Sequence, residues 1–118
     1  MRKNRSHKQI LSEIRGTVVY SINDEETTSE STEISFLGVQ KQMLLRPFEL
    51  MKRGGVIGSY EFIETRSRIL IKRLTVVVKG INNKIASLDV IQSMVTQQLA
   101  KNRCEVKYCK SFEAFLNL

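Results

Sequence analysis

A chain of 118 residues with 42% hydrophobic and 26% charged residues is long enough to enclose one hydrophobic core and short for two domains, and its balance excludes an intrinsically disordered polymer. Lys and Arg number 19 against 12 Asp and Glu, a formal net charge of +7 that favours polyanionic partners without naming one. Apolar runs such as Ile69-Leu70-Ile71 and Val76-Val77-Val78 fall far short of the ~20 residues that span a bilayer. No apolar segment follows the basic N-terminus, so no secretory signal is expected and an intracellular location is.

In chain order, Met1 to Lys8 is a basic arm carrying Arg2, Lys3, Arg5 and Lys8. Ile10, Leu11 and Ile14 predict a short amphipathic helix over Gln9–Arg15, stopped by Gly16. Thr17–Ile22, β-branched and aromatic, predicts a strand. Residues 23–33 gather Asp24, Glu25, Glu26, Glu30 and Glu33 among Ser and Thr, with nothing large enough to anchor a core, and predict an exposed acidic loop. Within and beside it, Thr27 and Ser21 each have an acid three residues on, a spacing compatible with phosphorylation. Outside this segment bases far outnumber acids.

Ile34 and Phe36 begin a second strand, with Gly38 as a candidate bulge. Val39, Met43 and Leu45 fit either its continuation or the start of a helix. Pro47 suits the first turn of a helix running to about Arg53, where its missing N–H costs nothing, and Gly54 suits the left-handed cap. Ser59–Thr65 and Arg68–Lys79 predict a hairpin with its tip at Arg66-Ser67, the second run open to a break near Arg73-Leu74. Gly80–Lys84 is a turn. Ser87 predicts an N-cap and Asp89 a favourable first-turn charge for a helix whose stripe is Leu88, Ile91, Val95 and Leu99, ending near Lys101-Asn102. Cys104, Val106 and Tyr108 alternate with Glu105 and Lys107 as a half-buried strand does, and Ser111 caps a last turn bearing Phe112, Phe115 and Leu116. The expected fold is one α+β domain over residues 1–118, a mainly antiparallel sheet of about four to five strands with two to three helices packed on one face.

Residues for covalent chemistry are scarce, and no catalytic, cofactor or metal site is expected. The one histidine, His7, lies in the arm, and a general base near neutral pH is usually a histidine. Cys104 and Cys109 are too few for a disulfide scaffold or a four-ligand zinc site and read as free thiols. Lys107 and Lys110 beside Cys109 would activate a thiol, but such charge is general in this chain. Glu61 and Glu64, three apart on a strand, should point to opposite faces and cannot pair. The stretch Lys52-Arg53-Gly54-Gly55-Val56-Ile57-Gly58 could form an anion-binding nest of backbone N–H groups, or cap a helix and turn. Its glycines close a helix and open a strand, the reverse of a nucleotide loop, so the cap is the better account.

Two classes of function remain. The first is a non-enzymatic nucleic-acid-binding protein, RNA or DNA, acting electrostatically through a basic β-ribbon, Arg66, Arg68, Lys72 and Arg73. The arm residues Arg2, Lys3, Arg5 and Lys8 would assist, with Lys101, Arg103, Lys107 and Lys110 extending the surface and Tyr60 offering a stacking face. The competing account makes the arginines a solvated edge that resists aggregation and Tyr60 and Phe62 parts of the core. The second class is an assembly or adaptor module, docking a protein partner or a second copy through Phe112, Phe115 and Leu116 or through a sheet edge. A membrane surface is the least expected partner, because the Gln9–Arg15 helix is too short to bury much apolar area.

Overall fold

The computed structural model describes residues 17–66, 72–101 and 105–110, with the backbone alone at 65, 66 and 72. The strands are β1 (Thr17–Ile22), β2 (Ser31–Leu37), β3 (Ser59–Arg66), β4 (Lys72–Lys79) and β5 (Glu105–Tyr108). Two helices, α1 (Lys41–Arg53) and α2 (Leu88–Ala100), complete the order β1-β2-α1-β3-β4-α2-β5. The sheet runs β3-β4-β2-β1-β5. All neighbours are antiparallel except β5, which lies parallel to β1 with Val18 opposite Val106 and Tyr20 opposite Tyr108. This is the expected α+β architecture, a five-stranded, mostly antiparallel sheet with the helices packed against it.

The period of two along the strands selects the covered face. Val18, Tyr20 and Ile22 of β1, Ile34 and Phe36 of β2, and Leu74, Val76 and Val78 of β4 form one buried cluster with Leu44, Phe48 and Met51 of α1 and Ile91, Val95 and Leu99 of α2. Rings run across it: Tyr108 to Tyr20 at 5.3 Å, Tyr20 to Phe36 at 5.7 Å, Phe36 to Phe48 at 6.0 Å and Phe48 to Phe62 at 6.2 Å. Offset and edge-on contacts at these spacings add attraction beyond area burial. The Tyr20 hydroxyl donates to the Gln92 carbonyl at 2.9 Å and pairs with the Thr96 hydroxyl, tying α2 to β1; burial pushes its pKa up. On the sheet's other face Val19, Leu37, Ser21, Ser35 and Thr75 are buried too, outside this cluster.

Several local expectations need correction. The helix begins at Lys41, so Pro47 stands in its interior. A proline there removes the bond to the Met43 carbonyl, a defect of roughly 3 kcal/mol in an isolated helix. Here Pro47 is buried along with Leu44, Phe48 and Met51, and tertiary burial outweighs propensity. Gly38, with φ 73°, ends β2 rather than bulging it, and Gly55, with φ 76°, takes the left-handed cap expected of Gly54. The Gly55 N–H bonds the Lys52 carbonyl and the Val56 N–H that of Met51, the paired bonds of a Schellman cap.

The acidic segment is exposed at residues 24–26 and 28–30 as expected, yet it is anchored at its base. Glu33 lies within β2, Thr32 is fully buried, and the Thr27 and Thr32 hydroxyls meet at 2.7 Å. Short hydroxyl side chains bond the nearby backbone, so no large side chain is needed to fix the turn. Arg66 is a strand residue opposite Lys72, not a hairpin tip; residues 67–71 lie outside the described residues, and β4 is unbroken at Arg73-Leu74. Ser87 caps α2 by accepting from the Val90 N–H at 3.3 Å, as expected. The Gln9–Arg15 helix and the turn after Ser111 lie outside the described residues.

Candidate nucleic-acid interface

The predicted ribbon residues do not act as one group. Register sets Arg66 opposite Lys72 and Thr65 opposite Arg73. Arg73 is half-buried on the sheet face away from the helices, its Nη2 donating to the Ser35 hydroxyl at 3.1 Å. The same hydroxyl accepts from Asn23 Nδ2 at 3.2 Å and pairs with Thr75 at 3.2 Å. Arg73 is thereby part of an internal polar cluster. Arg68, Arg103, the arm residues Arg2, Lys3, Arg5 and Lys8, and Phe112, Phe115 and Leu116 lie outside the described residues. Lys107 and Lys110 are exposed on and just after β5.

Tyr60 is half-buried. Its ring centroid is 5.9 Å from Phe48 and 5.6 Å from Phe62, and its hydroxyl donates to Glu49 at 2.7 Å. This bond raises the tyrosine pKa and holds the Glu49 carboxyl below the usual range. Arg53 Nε also approaches Glu49, at 3.7 Å. The one acid of α1 is therefore engaged within the domain.

Around that acid, helical periodicity collects bases. Leu44, Phe48 and Met51 face the core at spacings of four and three, so Gln42, Arg46, Glu49 and Arg53 turn outward, with Lys41 and Lys52 on the β3 side. Lys41, Arg46, Lys52 and Arg53 are all exposed. Lys41 Nζ stands 5.6 Å over the Phe62 ring, so the basic surface of α1 reaches the strand that ends at Arg66. Among the described residues, Arg46, Lys52 and Lys101 make no ion pair. Local rules place Pro47 at a helix start and so hide this face; the spacings of four and three in Gln42, Arg46 and Glu49 against Leu44, Phe48 and Met51 are the signal the sequence carries.

Two concavities adjoin it. A cleft of about 250 Å³ between the helices is lined by Arg46, Pro47 and Leu50 of α1 and by Gln98 and Lys101 at the end of α2. A more open groove of about 470 Å³ is lined by residues including Lys52, Gly58, Ser59, Lys79, Asn82 and Asn83. The second is not a nest. The N–H groups of residues 54 to 58 all donate to protein carbonyls: Gly54 to Leu50, Gly55 to Lys52, Val56 and Ile57 to Met51, and Gly58 to Lys79. None remains to receive an anion.

The described residues contain no cluster of three or more His, Cys, Asp or Glu positioned to hold a metal ion, and no helix among them is long and apolar enough to cross a membrane. Ser21 is buried with its hydroxyl donating to the Lys110 carbonyl, and Thr27 donates to the Asn23 carbonyl, so neither presents a free hydroxyl for phosphorylation. No family model matches the chain, and no curated protein or solved structure is detectably similar to it.

Proposed function

We propose that the protein binds nucleic acid without covalent chemistry, and that the outer surface of α1 with the end of α2 is its primary contact. The observation that carries this reading is the set of exposed cations, Lys41, Arg46, Lys52, Arg53 and Lys101, around a single acid, Glu49, that Tyr60 and Arg53 already engage. Such a surface attracts phosphates and gains free energy by releasing their counterions. The hairpin residues Arg66, Arg68 and Lys72 and the basic arm extend the contact, whereas Arg73 contributes mainly to the fold.

Fluorescence anisotropy with labelled DNA and RNA across a salt series tests the reading. Affinity should fall steeply with salt, and Arg46→Glu with Lys52→Glu should weaken binding at least about tenfold, since each reversal also repels phosphate. Unchanged affinity in a folded double variant removes α1 from the interface.

A second reading, a protein-interaction module, is favoured by one feature. β3 is an edge strand with no described strand beyond it, and Ile63 on it is 43% exposed. If this edge pairs with a second copy, Ile63→Lys should convert a dimer to a monomer in sedimentation equilibrium; a wild-type monomer at high concentration rejects self-pairing.

A further inference from the structure

The cleft between α1 and α2 differs from the rest of the basic surface in being concave and mixed in chemistry. Arg46 of α1 and Lys101, the C-terminal cap of α2, line the same recess, and neither has an ion-pair partner among the described residues. Between them lie buried Pro47, partly exposed Leu50 at 38%, and half-buried Gln98. An arginine fork matches phosphate oxygens in a bidentate way, and a lysine adds a point charge that tolerates several geometries. The apolar wall suits a sugar or base face, and the glutamine amide offers both a donor and an acceptor to a base edge.

Size narrows the ligand. At about 250 Å³ the recess lies below the usual range for sites that enclose a whole drug-sized molecule. It can take in a base or sugar of one nucleotide, with the phosphate at its rim beside the two cations. A duplex is read by an element that protrudes into a groove, and this site is a hollow, so paired bases would meet only its rim. An unpaired strand can turn a single base inward while its phosphates lie along the two cations.

Building on the proposed function, we propose that this cleft seats one unpaired nucleotide of a single-stranded nucleic acid, with Arg46 and Lys101 on the flanking phosphate and Leu50, Pro47 and Gln98 against the sugar and base. The protein then prefers single strands to duplex, and the preference resides in the cleft rather than in total charge.

The test compares two double variants of equal charge change, Arg46→Ala with Lys101→Ala in the cleft and Lys41→Ala with Lys52→Ala outside it. Each is titrated against a labelled single-stranded oligothymidine and a labelled duplex, with thymidine monophosphate as competitor and thermal melts to confirm folding. Wild type should bind the single strand at least about tenfold more tightly than duplex. The cleft pair should lose that preference, while the outer pair weakens both polymers alike and keeps it. Gln98→Ala, which changes no charge, should weaken single-strand binding several-fold and leave duplex binding unaltered. Competition by the monophosphate at micromolar concentration would show a site for free nucleotide and overturn the assignment to a strand. Equal wild-type affinity for both polymers, or equal losses in the two double variants, overturns the cleft while leaving nucleic-acid binding in place. No binding of either polymer at low salt overturns both.

Discussion

The acidic turn after β1 and the outer surface of α1 are both densely charged, yet they differ in where their polar groups find partners. In the turn, the Asn23 N–H bonds the Glu33 carbonyl, the Glu30 and Ser31 N–H groups bond the Thr28 hydroxyl, and Thr27 meets Thr32. The turn is also clamped from outside, because the Gly80 N–H donates to Glu30 and the Ile85 N–H to Ser29. Among the described residues, Arg46 and Lys52 of α1 have no ion-pair partner, and Lys41 stands over the Phe62 ring. The turn is held by its backbone and hydroxyl groups while its carboxylates Asp24, Glu25, Glu26 and Glu30 stay exposed, so the hydrogen-bond network serves the fold and the exposed cations of α1 are available to an anionic ligand.

If that distinction holds, substitutions in the two regions separate stability from affinity. The largest effect is expected at the clamp. A Cβ on Gly80 would collide with the Lys84 carbonyl and the Ile85 backbone nitrogen, none of which can move independently of the chain. Gly80→Ala should therefore lower the unfolding free energy by about 3 kcal/mol or more, measured by urea denaturation. A loss below 1 kcal/mol would show that the clamp is soft.

Next comes the hydroxyl pair. Thr32→Val keeps the volume but leaves the Thr27 hydroxyl short of one partner, which should cost about 1–2 kcal/mol with no change in nucleic-acid affinity. The Arg46→Glu, Lys52→Glu variant should differ in affinity, losing about 1 kcal/mol of stability, because Lys52 sits at the negative end of α1 and beside Glu49, while losing affinity at least about tenfold. Lost affinity in Thr32→Val, or unchanged affinity in the folded α1 variant, would erase the distinction between the regions.

The smallest effect is a pH dependence at Glu33. Burial, reinforced by Glu26, raises its carboxyl pKa above the ordinary value, although Arg73 opposes the shift. The folded state thus holds this proton more tightly than the unfolded chain. That linkage weakens the fold as pH rises from the unfolded value through the folded one. Glu33→Gln should melt higher than wild type at neutral pH, and the advantage should vanish in acid below the usual glutamate range. A pH-independent difference between the two melting curves would assign the effect to something other than ionisation.

Much of the fold was legible. The β-branched and aromatic run Thr17–Ile22, the stripe of Ile91, Val95 and Leu99, and the Ser87 cap are local patterns, and each element formed where its pattern lies. The candidate site was less legible. Arg46 stood next to a proline that local rules place at a helix start, so its helical face stayed hidden. Arg73 looked like a ribbon cation, but it lies 38 residues from Ser35, and nothing nearby in the chain foretold that bond.

The sequence by itself determined the charge, the α+β class, and which residues of α2 and β5 turn inward, because these depend on composition and on periods of 3.6 and 2 residues. Only the tertiary structure decided that β5 lies parallel to β1, that Pro47 is enclosed mid-helix, that Thr32 anchors an acidic turn, and that Arg46 and Lys101 line one cleft. Each of those outcomes depends on groups distant in the chain meeting across the core or the sheet, and such meetings are settled by packing and hydrogen-bond satisfaction rather than by local preference.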